Sequence, residues 1–297
     1  MIIVFLNGGL ANQSFQYILY RFLQLRRGSA EGIYLDDSFF FVERIHNGYE
    51  LERVFGLKPA LLSGLFDPDV WEEMIRLKRE GKSIPQQFLE LGEPIRMMAE
   101  VDHRHFNPFS GEVYVPEKDC SQFMPNLAEL EGDWYLHFYG LNTEYFKSYK
   151  DILSKEFTFP AFTEPHNLEY EKRIRNEESI SLHVRRGDYV ALGKNLEPEY
   201  YKKSVQALLE EVPEAQLVVF SDDLPWCRAN EEALGISLAK KILYIEGNAN
   251  PNNYRDLQLM SLCPGMIVGN SSFCCLAAML NRNLKYLVNF SGMELPV

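Results

Sequence analysis

The sequence predicts an α/β protein of two lobes, each built on an open, mostly parallel sheet. Three observations predict it. The chain has 297 residues, more than the ~100–200 of a typical single domain. Its first 35 residues read as strand, glycine loop, helix and strand. From Ser179 to Val288 strands and helices alternate regularly, which is the pattern of a parallel sheet with right-handed crossovers. A composition of 46% hydrophobic and 24% charged residues can bury a substantial core and gives no reason to expect disorder.

The elements follow in order. Residues 1–6 form a continuous apolar run suited to a strand buried on both faces. The loop Asn7-Gly8-Gly9 leads into a helix in which Phe15, Ile18, Leu19 and Phe22 share one face. Asn12 is its candidate N-cap, and Arg26 and Arg27 stand where the helix dipole favours cations. A second strand covers 33–35. From Phe39 to Lys155 the pattern is less legible, with one helical stretch at 69–79 and a loop region at 102–116. Pro160 and Pro165 suit an interdomain connection, which places the boundary near residue 158. Beyond it the sequence predicts strands at 179–184, 216–220, 242–245, 266–268 and 284–288, with helices at 199–211, 225–234, 253–262 and 272–280.

Thirty basic residues against 42 acidic ones leave a net charge of −12, which argues against a nucleic-acid surface built on phosphate attraction. Residues 1–158 carry 16 basic and 24 acidic residues, and 159–297 carry 14 and 18, so the second lobe is the better host for an anion. The opening apolar run is too short for a signal peptide or membrane anchor. Five cysteines without a CxxC pair fit a reducing compartment, and adjacent Cys274 and Cys275 read as packing residues of an apolar helix rather than a redox pair.

Ligands of open parallel sheets bind at the carboxyl ends of the strands, so the strand ends are the candidate sites. After the first strand, Gly8, Gly9, Asn12 and Gln13 offer close backbone approach and side-chain amides. The glycine spacing is not that of the dinucleotide fingerprint, and a tight strand-to-helix turn is the alternative. Alternation along 179–184 sets His183 and Arg185 on one face, so that Arg185 and Arg186 emerge at a strand tip beside Gly187 and Asp188. Arginine offers a planar fork matched to phosphate oxygens; an Arg186–Asp188 surface pair is the bland alternative. Asp222 and Asp223 follow the next strand, one to cap a helix and the other to face the crevice. His103 and His105 form an HxH pair with no identifiable third metal ligand. In Asn270-Ser271-Ser272-Phe273 serine hydroxyls, free N–H groups and a helix dipole converge, which is an anion site in kind.

Four blocks in this order resemble the inverting α-1,2-fucosyltransferases of the GT-B class. They are Gly8 to Tyr17, His183 to Tyr189, Phe220 to Cys227, and Asp256 to Cys263 running into Ile267 to Leu280. The chain departs from the family at Ala11-Asn12-Gln13-Ser14 and at Cys274-Cys275-Leu276, where two tryptophans are usual; the second change bears on acceptor preference. The resemblance implies two Rossmann-like lobes with parallel sheets facing across a cleft, an acceptor-side lobe at 1–158 and a GDP-sugar lobe at 159–297. It implies transfer of L-fucose from GDP-β-L-fucose to a galactose 2-hydroxyl with inversion, with no cofactor and no metal. His183, Arg185, Asp222, Asp256, Ser271, Ser272 and Phe273 would hold the donor, and Arg185 would also meet the charge of the leaving diphosphate. Asn12 and Asp36 are the candidate catalytic residues near the acceptor, with Asp37 a second candidate base. The expected partners are GDP-fucose and a galactose-terminated oligosaccharide. The expected location is cytoplasmic, with room for peripheral work at the inner face of a bacterial membrane. Two other readings stay open: a GDP-sugar transferase of different sugar or linkage, and a non-catalytic GDP-sugar-binding protein.

Overall fold

A computed structural model describes residues 1–43, 45–93, 95–99, 113–114 and 123–290. The chain divides into two compact units, Met1–Thr158 and Phe159–Val297.

The first unit carries a sheet of strands β1 (Ile2–Phe5), β2 (Ile33–Asp36), β3 (Arg96–Ala99), β4 (Val113–Tyr114) and β5 (Trp134–His137). Their order is β2-β1-β5-β3-β4 and every pairing is parallel. β1 is buried along its whole length, as an unbroken Ile-Ile-Val-Phe run between two covered faces must be. The helix Leu10–Arg27 buries Phe15, Ile18, Leu19 and Phe22. Its N-cap is Gly9, so Asn12 lies inside the first turn rather than at the cap expected of it. The helix ends at Gly28 in the left-handed region, and Arg27 donates to the carbonyls of Ala128 and Leu130. On the other face, the helix Pro68–Arg79 inserts Trp71, Met74 and Ile75 into a core with Ile3, Phe5 and Tyr135. A Ser83–Gln86 capping box starts the next helix, Ile84–Glu90. Within the loop expected at 102–116, Val113 and Tyr114 pair with β3 as a strand. His103, His105 and Cys120 lie outside the described residues.

The second unit has strands β6 (Ser179–Val184), β7 (Gln216–Ser221), β8 (Lys241–Tyr244), β9 (Gly265–Val268) and β10 (Tyr286–Asn289), again all parallel, in the order β10-β9-β6-β7-β8. Strand β6 is buried at every position. One face is covered by the helix Pro198–Glu211, whose Tyr201, Val205 and Leu208 pack on Leu182, Val184, Leu217 and Val219. The single helix expected at 225–234 is two, Leu224–Ala229 and Glu231–Leu234; Asn230 stands between them and donates its amide to the Trp226 carbonyl. The last strand starts two residues later than expected, because the Lys285 and Tyr286 N–H groups both turn to the Pro264 carbonyl. Gly265 allows β9 to approach β6 closely, since a Cβ there would lie 2.8 Å from Ile180 Cγ1.

Strands β7 and β8 lie to one side of β6, and β9 and β10 to the other. The chain therefore reverses its direction of winding between β6 and β9, which makes the gap between their carboxyl ends the sheet's topological switch point.

Arg255 ties the start of this unit to its sheet. It is 3% exposed, donates to the carbonyls of Pro160 and Ala161, to Glu164 and to Gln258, and lies against the rings of Phe162 and Tyr254. Arg255→Ala is expected to lower stability by about 2–4 kcal/mol, because two carbonyls and a carboxylate lose their donor. Chemical denaturation followed by circular dichroism checks it, with Arg255→Lys restoring less than half the loss.

Candidate functional site

Three neighbouring strand ends, those of β9, β6 and β7, form the candidate site of the second unit. The register places Val184 beside Ser221, so Arg185 emerges next to Asp222. Asp222 organises the edge. Its Oδ1 accepts the Arg186 N–H at 2.8 Å, and its Oδ2 lies 2.8 Å from Arg185 Nη1. A Cβ on Gly187 would stand 2.6 Å from that second oxygen, so only glycine leaves room for this contact. Arg185 also donates through Nη2 to Asp188 at 2.6 Å, and it is 31% exposed.

The two arginines do different things. Arg186 turns away, donates to Asp223 at 3.1 Å and lies 3.6 Å from the centre of the Trp226 ring. The surface pair considered for Arg186 and Asp188 is thus made by Arg185 instead, and Arg185 alone offers its guanidinium at the edge. Asp223 caps the helix Leu224–Ala229 by accepting from the Trp226 N–H. Of the two aspartates, one caps and the other braces the strand tip.

Ser271 caps the helix Ser272–Leu280, accepting from the Phe273 N–H, while Ser272 and Phe273 are partly exposed at the helix start. The ring of His183 lies 5.8 Å from that of Phe273, and its buried Nδ1 has no hydrogen-bond partner. Cys274 and Cys275 are wholly buried beneath this helix start and are free, as are Cys227 and Cys263.

Asp256 sits in the first turn of the helix Tyr254–Met260 and accepts from Asn248 Nδ2 at 2.8 Å. Asn248 also exchanges hydrogen bonds with Asn167 and contacts His166 Nε2 at 3.2 Å. Burial pushes the Asp256 carboxyl up to about 7 against the opposing effects of Asn248, His183 and His166. The Asn167–Asn248 pair was missed from sequence. Its members lie 81 residues apart, and no local pattern marks them.

The carboxyl edge of the first unit is more closed. Gly8 needs its positive φ of 73°, and a Cβ there would strike the Asn12 amide at 2.8 Å. Gln13, placed by sequence among groups facing a ligand, is fully buried instead. Its Nε2 donates to the carbonyls of Gly8 and Gly48, and its Oε1 accepts from the Glu50 N–H. Asn7 and Gln16 exchange two further hydrogen bonds behind the loop.

Asp36 has no exposed surface. It accepts from the Ser38 N–H and from the Tyr135 hydroxyl, the latter at 2.5 Å. Asp37 is held by the Ser63 N–H and hydroxyl, and burial raises its pKa. Lys78 donates to Ser38 Oγ above the Phe5 ring, and burial lowers its pKa. The carboxylates at the end of β2 therefore serve the fold here, and neither offers an open face to an acceptor hydroxyl.

Among the described residues, no group of three or more His, Cys, Asp or Glu could hold a metal ion, and no helix is long and apolar enough to cross a membrane.

The chain is thus an α/β protein of two Rossmann-like units, one of them presenting an arginine and a helix start at its switch point. The sequence matches Glycosyl transferase family 11 over residues 103–293, and the chain belongs to that family of glycosyltransferases. Among similar proteins, an alpha-1,2-colitosyltransferase of Escherichia coli is 28% identical over 95% of this chain and 88% of its own length. The O-antigen biosynthesis glycosyltransferase WbnK of Escherichia coli is 25% identical over 93% of this chain and 89% of its own. Solved structures with a similar course of the chain include POFUT1 in complex with GDP, at a TM-score of 0.48 and 13% identity, covering 98% of each chain. NodZ alpha-1,6-fucosyltransferase soaked with GDP-fucose gives 0.49 and 11%, covering 98% of this chain and 94% of that one.

Because folding raises the Asp256 pKa from 3.8 to about 7, its contribution to stability is fully present below the unfolded value and is lost as pH rises through the folded one. Between about pH 4 and 7 the wild-type protein should therefore lose stability relative to Asp256→Asn as pH rises. Thermal melts of both proteins across that range check the difference.

Proposed function

We propose that this glycosyltransferase moves L-fucose from GDP-β-L-fucose to the 2-hydroxyl of a galactose, with inversion at the anomeric carbon. The second unit holds the GDP-sugar and the first holds the acceptor. The observation that carries this reading is the convergence of Arg185, His183 and the helix start Ser271–Phe273 at the switch point of the second sheet.

Breaking the bond between sugar and phosphate builds negative charge on the leaving diphosphate, and preorganised donors aimed at that charge lower the barrier. Arg185 supplies such donors: with Nη1 on Asp222 and Nη2 on Asp188, three of the five N–H groups of its guanidinium are left for phosphate oxygens. The start of the helix Ser272–Leu280 adds the positive end of a helix dipole. His183 lies buried near the end of β6, beside the Phe273 ring and the Cys274 thiol, and Asp256, held by Asn248, lies close enough to His183 to interact with it electrostatically. Fixed donors of this kind meet the developing charge without a metal. The net charge of −12 leaves nucleic acid out of the partners, and the acceptor is a free or lipid-linked oligosaccharide at the cytoplasmic face.

The relative named as an alpha-1,2-colitosyltransferase supports the linkage and favours a second reading, in which a colitosyl group takes the place of fucose. Release of nucleoside diphosphate from GDP-fucose and from GDP-colitose, with GDP-mannose and UDP-galactose as comparison donors and β-galactosides as acceptors, separates these readings. Acceptor-dependent release from GDP-fucose alone, unchanged by EDTA, is expected, with product analysis fixing the linkage. Activity with another donor only would sink the fucosyl assignment, and GDP-fucose binding without transfer would point to a binding protein.

Arg185→Ala is expected to lower kcat by about 10²–10³-fold, and Arg185→Lys should restore little because the fork is lost. Gly187→Ala, which forces Asp222 off the strand tip, should weaken GDP binding about tenfold, or roughly 1.4 kcal/mol. Calorimetric titration of GDP measures it.

A further inference from the structure

The inverting step needs a group to take the acceptor's proton, and the carboxylates at the end of β2 are enclosed. We propose that His46 is that group, an assignment that rests on the transferase reading above. As the acceptor oxygen forms its bond to the anomeric carbon, the bond to the diphosphate breaks and GDP keeps the electron pair. The hydroxyl proton passes to an imidazole nitrogen of His46 and from there to solvent.

Four observations place His46 at the right edge with the right freedom. First, its ring stands over the glycine loop that follows β1: a Cβ on Gly9 would lie 3.4 Å from His46 Cγ and 3.5 Å from Nδ1. Gly9 has φ −84° and ψ 178°, angles open to any residue. A side chain there would thus rest in ordinary contact with the imidazole, which places the ring directly across the glycine loop.

Second, His46 has φ 54° and is the one non-glycine residue with positive φ among the described residues. Such backbone strain persists where the surroundings enforce it, and it clusters at functional sites.

Third, the surroundings that enforce it are visible. The buried Gln13 amide bridges the carbonyls of Gly8 and Gly48 at 2.9 and 2.8 Å and receives the Glu50 N–H at 2.9 Å. It thereby fixes the 46–50 segment against the glycine loop. Gln13 is a positioning residue on this assignment.

Fourth, the ring is exposed and makes no hydrogen bond to another described residue. Glu50 is engaged by Arg53 and Asn47, Glu43 lies three residues earlier, and the loop and helix start from Asn7 to Gln13 carry no charged side chain. The imidazole is thus exposed beside the glycine loop, with a ring nitrogen able to accept a proton. The neighbouring Asn12 amide can orient a hydroxyl but cannot take its proton.

The test compares wild type with His46→Asn, His46→Gln and His46→Gly, using whichever GDP-sugar the wild type turns over. Asparagine and glycine accept the left-handed backbone, so the loop keeps its shape. Turnover at neutral pH should fall about 10²-fold or more in all three, with GDP affinity within twofold of wild type. The fall of wild-type kcat/KM on the acid side should disappear in the variants, and added imidazole should restore part of the activity of His46→Gly. Unchanged turnover in His46→Asn, or an acid limb that persists in all three variants, would overturn the assignment. A wild type active only with a sugar other than fucose fails the fucosyl reading and leaves His46 tested on that donor; a wild type that transfers nothing overturns both.

Discussion

Strands that are paired in parallel and buried on both faces have little room for a charged side chain except at their ends. That constraint governs both units. β1 and β6 are buried at every position, so the first ionisable or amide groups the chain can expose are those just past the last apolar residue. Arg185 follows β6 and Asp222 follows β7. The candidate chemistry lies in turns of two or three residues because the sheets leave no other room for it.

The two edges resolve the constraint differently. In the second unit, Asp222 spends one oxygen on a backbone N–H and the other on a guanidinium, which builds a rigid tip and still leaves donors of Arg185 uncommitted. In the first unit, nearly every polar group is consumed internally. Glycines bring backbone but no side chain, so the carbonyls of Gly8 and Gly48 need outside donors, and the buried Gln13 amide provides them. Asp36 and Asp37 in turn accept the hydrogen bonds of Ser38, Tyr135 and Ser63. What remains available at that edge comes from the segment across the loop, where His46 stands beside Gly9.

Much of this was legible in the sequence, for physical reasons that also explain the gaps. The alternation beyond Ser179 is local: each strand is an apolar run and each helix an amphipathic one, so all five strands of that sheet were read in order. Asp223 as a cap and Ser271 as a helix start follow from short-range rules. Asn12 was misplaced because asparagine is a good cap, yet the chain turns helical at Leu10, where Gly9 already supplies the bend. Gln13 and Asp36 were read as facing a ligand because strand ends usually do. Their partners, Gly48 and Tyr135, are 35 and 99 residues away, and only the tertiary structure brings them in. The same holds for Asn167 with Asn248 and for the order of strands in the first sheet, where β5 inserts between β1 and β3.

The two carboxylates on Arg185 carry one further consequence. Asp222, from the neighbouring strand end, braces one side of the guanidinium, while Asp188 holds the other from the same turn, so on the proposed reading an incoming diphosphate competes with the Asp188 carboxylate. Such a resident rival weakens retention of the spent nucleotide as much as capture of the fresh one. On the proposed reading it favours rapid turnover over tight holding, and it keeps product from accumulating on the enzyme when GDP is abundant.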